Sequence, residues 1–189
     1  MNMDSSGSFL IRVDLCSSVV CFSPVADSLK RTTNLFDESR HQLEELPSMI
    51  NWSQFVAATP ELAAFGKRRL ESRIAYLATI RRDGSPRVHP VSPFIASDHM
   101  FVYMEPASPK VFDLRRDPRY AMHCGVEDNA GGLGEFFIKG EAEEVGIPEI
   151  RVKAFEQAEL LGYNPQERYV LFALRIDEAM GTVYEELAR

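Results

Sequence analysis

The sequence predicts a mainly β protein, β with flanking helices: six antiparallel strands closing, fully or partly, into a Greek-key-like barrel beside three helices. Three observations lead there. Short β-branched and aromatic runs recur between tight turn signals. The connections are too short for parallel crossovers. Each of the three helix-like stretches opens on a proline, the residue best suited to a first helical position.

The regular pattern begins at Met49, so the chain divides into a loose or atypical extension over 1–48 and one domain over 49–189. The extension is Ser-rich and lacks a sustained period, apart from a short amphipathic stretch at Leu35 to Leu46. It reads either as sequence upstream of the true start or as an ordered extension packing on the barrel. In the domain, Thr59 can cap a helix that starts at Pro60 and runs to about Arg69. Strands follow at Ile74 to Ile80 and Arg87 to Ile95, joined by the turn signal Asp83-Gly84. A third strand runs from His99 to Glu105 after Ser97-Asp98, and Ser108 can cap a short helix from Pro109 to about Arg116. Tyr120 to Val126 and Glu135 to Val145 are strands around a glycine-rich loop. Pro148 opens the last helix, and Tyr169 to Tyr184 forms one long strand or a bent pair.

Composition narrows the function classes. A chain of 189 residues suits one domain, and 45% hydrophobic content suits a folded one. The net charge of −7 argues against nucleic acid or a membrane surface as partner, and Arg81-Arg82 and Arg115-Arg116 are too short to reverse that. Cys16, Cys21 and Cys124 form neither a disulfide framework nor a metal-ligand spacing, which fits a reducing compartment. The apolar run Phe9 to Phe22 is broken by Arg12 and Asp14, so neither a membrane span nor a signal peptide is expected. A cytoplasmic location follows by elimination.

The residues suited to chemistry lie around the second and third strands. Arg87 to Ser92 and Phe101 to Met104 lie on strands that a tight turn brings together, and Ser108-Pro109-Lys110 opens the short helix behind them. A helix N-terminus has free N–H groups and partial positive charge, so a hydroxyl and an ammonium there make a phosphate site. Each charge-assisted hydrogen bond contributes about 1.5–3 kcal/mol, and three or four approach the roughly 8 kcal/mol of a micromolar complex. The sequence offers no Ser-His-Asp or Cys-His arrangement and no paired carboxylates, which suits chemistry supplied by a cofactor. Gly131-Gly132-Leu133-Gly134 is followed by a strand rather than a helix, so it reads as a hairpin loop able to act as a lid, not as a dinucleotide site.

These motifs resemble the FMN-binding split β-barrel family related to pyridoxamine 5'-phosphate oxidase, over about Trp52 to Val145. The resemblance implies that Arg87, Val88, His89, Pro90, Val91 and Ser92 line the cofactor and that Tyr103 and Met104 lie against the flavin. It further implies that Ser108 and Lys110 hold the phosphate, that Glu135 stands where a glutamine approaches the ring, and that His89 or an arginine stabilises the reduced ring. A small-molecule substrate and a homodimer with cofactors at its interface are implied too. Two departures weaken the cradle: Ser92 replaces a lysine and Pro109 an arginine. The C-terminal Trp-Arg-Leu-like substrate signature is absent, so vitamin B6 oxidation is not expected. The expected function is thus FMN-dependent oxidoreduction. Its alternatives are a deazaflavin-dependent reductase and a non-catalytic flavin- or haem-binding protein.

Overall fold

The structure, a computed structural model, describes residues 2–3, 8–14, 49–71, 73–128 and 133–184. Helix α1 (Trp52–Ala58) precedes the helix expected from Pro60. It is built by a capping box in which the Asn51 side chain accepts from the Gln54 N–H and the Gln54 side chain accepts from the Asn51 N–H, each at 2.9 Å. Trp52 and Phe55 are its buried face. Helix α2 (Pro60–Leu70) starts at proline as expected, but Thr59 does not cap it. The Thr59 hydroxyl instead donates to the Phe55 carbonyl at 3.2 Å and closes α1.

The strands are β1 (Asn2–Met3), β2 (Ser8–Asp14), β3 (Ala75–Ile80), β4 (Pro86–Val91), β5 (Phe94–Ala96), β6 (His99–Met104), β7 (Arg119–Cys124), β8 (Glu135–Glu144) and β9 (Val170–Tyr184). Helix α3 (Pro109–Arg116) lies between β6 and β7, and α4 (Pro148–Leu160) between β8 and β9. From Ala75 onward seven strands stand where six were expected. The stretch from Arg87 to Ile95 is two strands, because Pro93 has no N–H to give a ladder. The β3–β4 turn spans 82–84 rather than two residues, with Gly84 at φ +82° and the Arg81 N–H donating to the Ser85 carbonyl.

All pairings are antiparallel, in the order β1-β2-β9-β8-β7-β3-β4, with β6 on β9 and β5 on β6. The long strand β9 is the pivot: Val170–Leu174 pairs with β6 and Glu178–Tyr184 with β2, while β8 occupies the other flank. Strands β4 and β5 sit at opposite ends of the ladder β4-β3-β7-β8-β9-β6-β5, yet only Ser92 and Pro93 join them. So short a link reaches about 10 Å, so the sheet must curl until its ends approach. The result is a mainly β, curled antiparallel half-barrel with flanking helices.

Leu77, Val102, Met122, Phe136, Ile138 and Phe172 fill the interior, capped by Phe55, Leu62 and Leu70 of the first two helices. A second cluster joins Phe94, Phe101 and Leu171, on the outer face of β5, β6 and β9, to Ala154 and Ala158 of α4. No described helix is long and apolar enough to cross a membrane. Of the 1–48 extension, the structure describes β1 and β2. The stretch at 35–46, and the tip of the glycine-rich loop at 129–132 with its lid role, lie outside the described residues.

Candidate functional site

Strand alternation divides the motif on β4 between two faces. Arg87, His89 and Val91 turn toward the interior and α3, whereas Val88 and Pro90 face outward. Alternation thus splits Arg87 to Val91 into two sets of side chains.

Arg87 is held by a carboxylate the sequence reading missed. Its Nε lies 2.7 Å from Oδ2 of Asp113 on α3, and the Thr79 hydroxyl donates to the same oxygen at 3.1 Å. Arg116 approaches Oδ1 at 3.4 Å and also donates to the Ile80 carbonyl. Burial alone would raise the Asp113 carboxyl, but the hydrogen bonds from Arg87 and Thr79 outweigh it and leave the pKa below its ordinary value. This cluster fastens α3 across β3 and β4. Asp113 lies three residues beyond Lys110, so it also fixes where Lys110 stands.

At the start of α3 the Ser108 side chain makes no capping bond. The Val111 N–H donates to the Ser108 carbonyl, and the hydroxyl instead accepts from Lys110 Nζ at 3.0 Å. Lys110 is half-buried, and among the described residues no carboxylate lies within ion-pair distance of it. Burial pulls its pKa below the ordinary lysine value.

The ammonium borders a pocket of about 300 Å³ lined by Pro90, Val91, Ser92, Tyr103, Met104 and Lys110, which gathers much of the predicted set. The rest of the wall was not read from the sequence: Phe94, Glu105, Tyr163, Asn164, Pro165 and Tyr169. Tyr103 stacks on Phe94 at 5.6 Å between ring centroids, with Tyr163 tilted against the same ring at 5.9 Å. Burial raises the Tyr103 and Tyr163 phenols, so both are hydrogen-bond donors at neutral pH. Glu105 pairs with Arg168 at 2.8 Å, and the Arg168 guanidinium lies over the Tyr169 ring. Lys110 is therefore the one cation among the residues lining this pocket. A larger recess of about 650 Å³, lined by Pro148, Arg151, Val152 and Phe155 of α4, shares Tyr103 as a wall.

The remaining predicted residues lie off the pocket wall. His89 points inward, with Nε2 buried and unpartnered; burial, and then the charges of Lys110 and Arg87, lower its pKa, so it is a neutral imidazole. It therefore stands on the opposite face of β4 from Val88 and Pro90. Glu135 opens β8, three strands from β4, with Oε2 3.5 Å from His123 Nε2. Val88 joins Ile74 and Tyr76 in an exposed apolar patch on the outer face.

The pocket can hold an anion beside aromatic rings. The donor set fits the tail of a flavin-type cofactor: an ammonium with no carboxylate partner among the described residues, the Ser92 hydroxyl, two phenols and a stack of flat side chains. Ser108 lies off the wall and serves only to hold Lys110.

Residues 58–181, about two thirds of the chain, match the family described as pyridoxamine 5'-phosphate oxidase. Among solved structures, an FAD-binding protein from Mesorhizobium loti is 20% identical at a TM-score of 0.53, covering 66% of this chain and 94% of that one. A candidate pyridoxamine 5'-phosphate oxidase from Listeria innocua is 13% identical at 0.52, covering 64% and 94%. A conserved hypothetical protein from Mycobacterium tuberculosis is 22% identical at 0.50, covering 64% and 81%. At these identities the likeness shows the fold. No curated protein matches the sequence.

Proposed function

The chain belongs to the pyridoxamine 5'-phosphate oxidase family, and from that premise we propose that it binds a flavin-type cofactor in the Lys110 pocket and acts as an oxidoreductase on a small molecule. One observation carries this reading. Lys110 is a half-buried ammonium without a carboxylate partner among the described residues, and it borders a pocket walled by Tyr103, Tyr163 and Tyr169. An isolated charge out of water is costly, so the site is completed by an anion. Lys110 and Ser92 would hold the tail, and the aromatic wall would keep water from it. The bound flavin would supply hydride or single-electron transfer, and the protein positions it and sets its electrostatics.

FMN is the cofactor the family resemblance names. The Asp113–Arg87 pair favours a second reading, a deazaflavin, because it withdraws one cation from the cradle. A cytoplasmic homodimer with cofactors near its interface is part of the same proposal. The exposed patch of Ile74, Tyr76 and Val88 supports the dimer as a surface a second copy can cover.

The absorbance spectrum of freshly purified protein is the first test. Bands near about 370 and 450 nm are expected for a flavin, or one near about 420 nm for a deazaflavin. Protein that is colourless and takes up neither compound on titration would remove the assignment. Turnover with reduced nicotinamide and a panel of acceptors separates an enzyme from a binder.

A further inference from the structure

A terminal phosphate and a phosphodiester place different demands on a pocket. The terminal group has a second pKa of about 6, so at neutral pH it carries nearly two negative charges, whereas a diester carries one. The charges of this site can be assigned residue by residue. Lys110 is the only cation among the lining residues, and Glu105, the only carboxylate there, is neutralised by Arg168 at 2.8 Å. Behind the wall, Arg87 has its Nε on Asp113 at 2.7 Å, and Arg151 of α4 commits its guanidinium to the carbonyls of Val145 at 3.4 Å and Tyr169 at 2.9 Å. Arg116 turns to Asp113 and the Ile80 carbonyl at the far end of α3, more than one and a half helical turns from Lys110. His89, whose pKa both Arg87 and Lys110 lower, is neutral, and burial keeps the Tyr103 and Tyr163 phenols uncharged.

We propose that this pocket takes its ligand's phosphate as a singly charged diester in preference to a terminal phosphate, and that Asp113 sets the preference by neutralising Arg87. The proposal rests on the flavin reading and narrows the cofactor to one whose phosphate is esterified at both ends. A second negative charge would enter a half-buried site with no second cation among its described lining residues, where unpaired charge is disfavoured far more than in water. The Ser92 hydroxyl, in line with this, stands at the pocket wall in a place where a second ammonium would have matched a dianion.

Two synthetic probes differ only in the charge at issue: FMN and its methyl phosphate ester. Their affinities for apoprotein are measured by quenching of flavin fluorescence at about pH 7.5 and about pH 5.5. With a second pKa of about 6, about 3% of FMN phosphates are singly charged at the higher pH and about three quarters at the lower. The ester is therefore expected to bind up to about 30-fold more tightly than FMN at pH 7.5, and FMN to gain about 25-fold on acidification while the ester does not. The pocket's own groups leave that comparison intact, because both probes meet the same Lys110, Glu105, His89, Arg87 and tyrosines.

Equal or tighter binding of FMN at pH 7.5 overturns the preference and leaves the flavin reading standing. Failure of both probes and of a deazaflavin removes the flavin reading, and this inference with it. Asp113→Asn, which frees Arg87, is expected to narrow the gap between FMN and ester at pH 7.5. An unchanged gap in the folded variant overturns the role given to Asp113. Should that variant not fold, the comparison on the unaltered protein decides alone.

Discussion

Arg87 and Asp113, on β4 and α3, meet at 2.7 Å with the carboxylate almost wholly enclosed, and Thr79 completes the contact from β3. Three elements are tied at one oxygen. Removing one partner of a buried pair leaves the other uncompensated, at a cost of about 3–5 kcal/mol. Asp113→Ala is expected near about 3 kcal/mol, the low end, because Arg87 keeps some contact with water. Thr79→Val should cost about 1 kcal/mol, a single hydrogen bond. Denaturant unfolding measures both.

The same pair sets a pH dependence. The folded-state pKa of Asp113 lies below its ordinary 3.8. A depressed carboxylate contributes stability that is present above the unfolded value and lost as pH falls through the folded one. Arg87→Met removes part of that depression. Its acid-unfolding midpoint should therefore move to higher pH than that of the unaltered protein, followed by circular dichroism from about pH 5 downward. Superimposable acid limbs would deny Asp113 this role.

Gly66 and Phe136 offer a sharper packing test. A glycine inside a helix usually costs about 1 kcal/mol against alanine, so Gly66→Ala ought to stabilise α2 on propensity alone. A Cβ at Gly66, however, would overlap the Phe136 ring, which is fully buried in the barrel core. Overpacking a rigid core costs about 1–3 kcal/mol. The expected outcome is net destabilisation by about 1–2 kcal/mol, relieved when Phe136→Leu is added. Thermal unfolding of the two variants reads it out.

Local signals were legible in the sequence, and long-range partnerships were not. The helix starts at Pro60, Pro109 and Pro148 depend on neighbouring residues and fall where they were read, and the chain does turn at Asp83-Gly84, though through three residues rather than two. Ser92, Tyr103, Met104 and Lys110 do meet around one pocket, but not through the expected hairpin: β6 pairs with β5 and β9 rather than with β4, and Ser92 arrives there because the sheet curls until β4 approaches β5. The Asn51 and Gln54 capping box was readable too, although α1 is too short for a periodic pattern to announce it. Asp113 is different: it lies 26 residues from Arg87, and in sequence looks like any polar residue of an amphipathic helix. Tyr163 and Tyr169 sit in an irregular segment and reach the pocket only because β9 pairs with β6.

On β7, His123 tests the electrostatics of the outer face. Hydrogen bonding to Cys124, its side chain first and its backbone next, together with the Glu135 carboxylate, raises the imidazole to about 9. A raised histidine contributes stability that is complete below its unfolded pKa of 6.5 and lost as pH rises through about 9. The ring is partly exposed, so the contribution should stay below about 1 kcal/mol. An NMR titration of the ring protons should show His123 still charged at neutral pH, with Glu135→Gln lowering its midpoint. A midpoint near the ordinary histidine value would show that these contacts do not act on it.

The outer face of β3 and β4 tests the assembly proposed for the cofactor site. Ile74, Tyr76 and Val88 are 58%, 49% and 61% exposed, and Tyr76 pairs across the ladder with Pro90, which itself lines the pocket. An apolar face so close to the pocket couples two events: covering it with a second copy would also shield the ligand from water. Val88→Glu combined with Tyr76→Glu places two like charges on each copy of the face, which a symmetric contact would bring together. The double variant should elute as a monomer by light-scattering chromatography, keep its far-ultraviolet circular dichroism, and bind flavin at least about tenfold more weakly. An unaltered protein that is already monomeric and binds flavin fully would show that the face serves no second copy and that the pocket is complete in one chain.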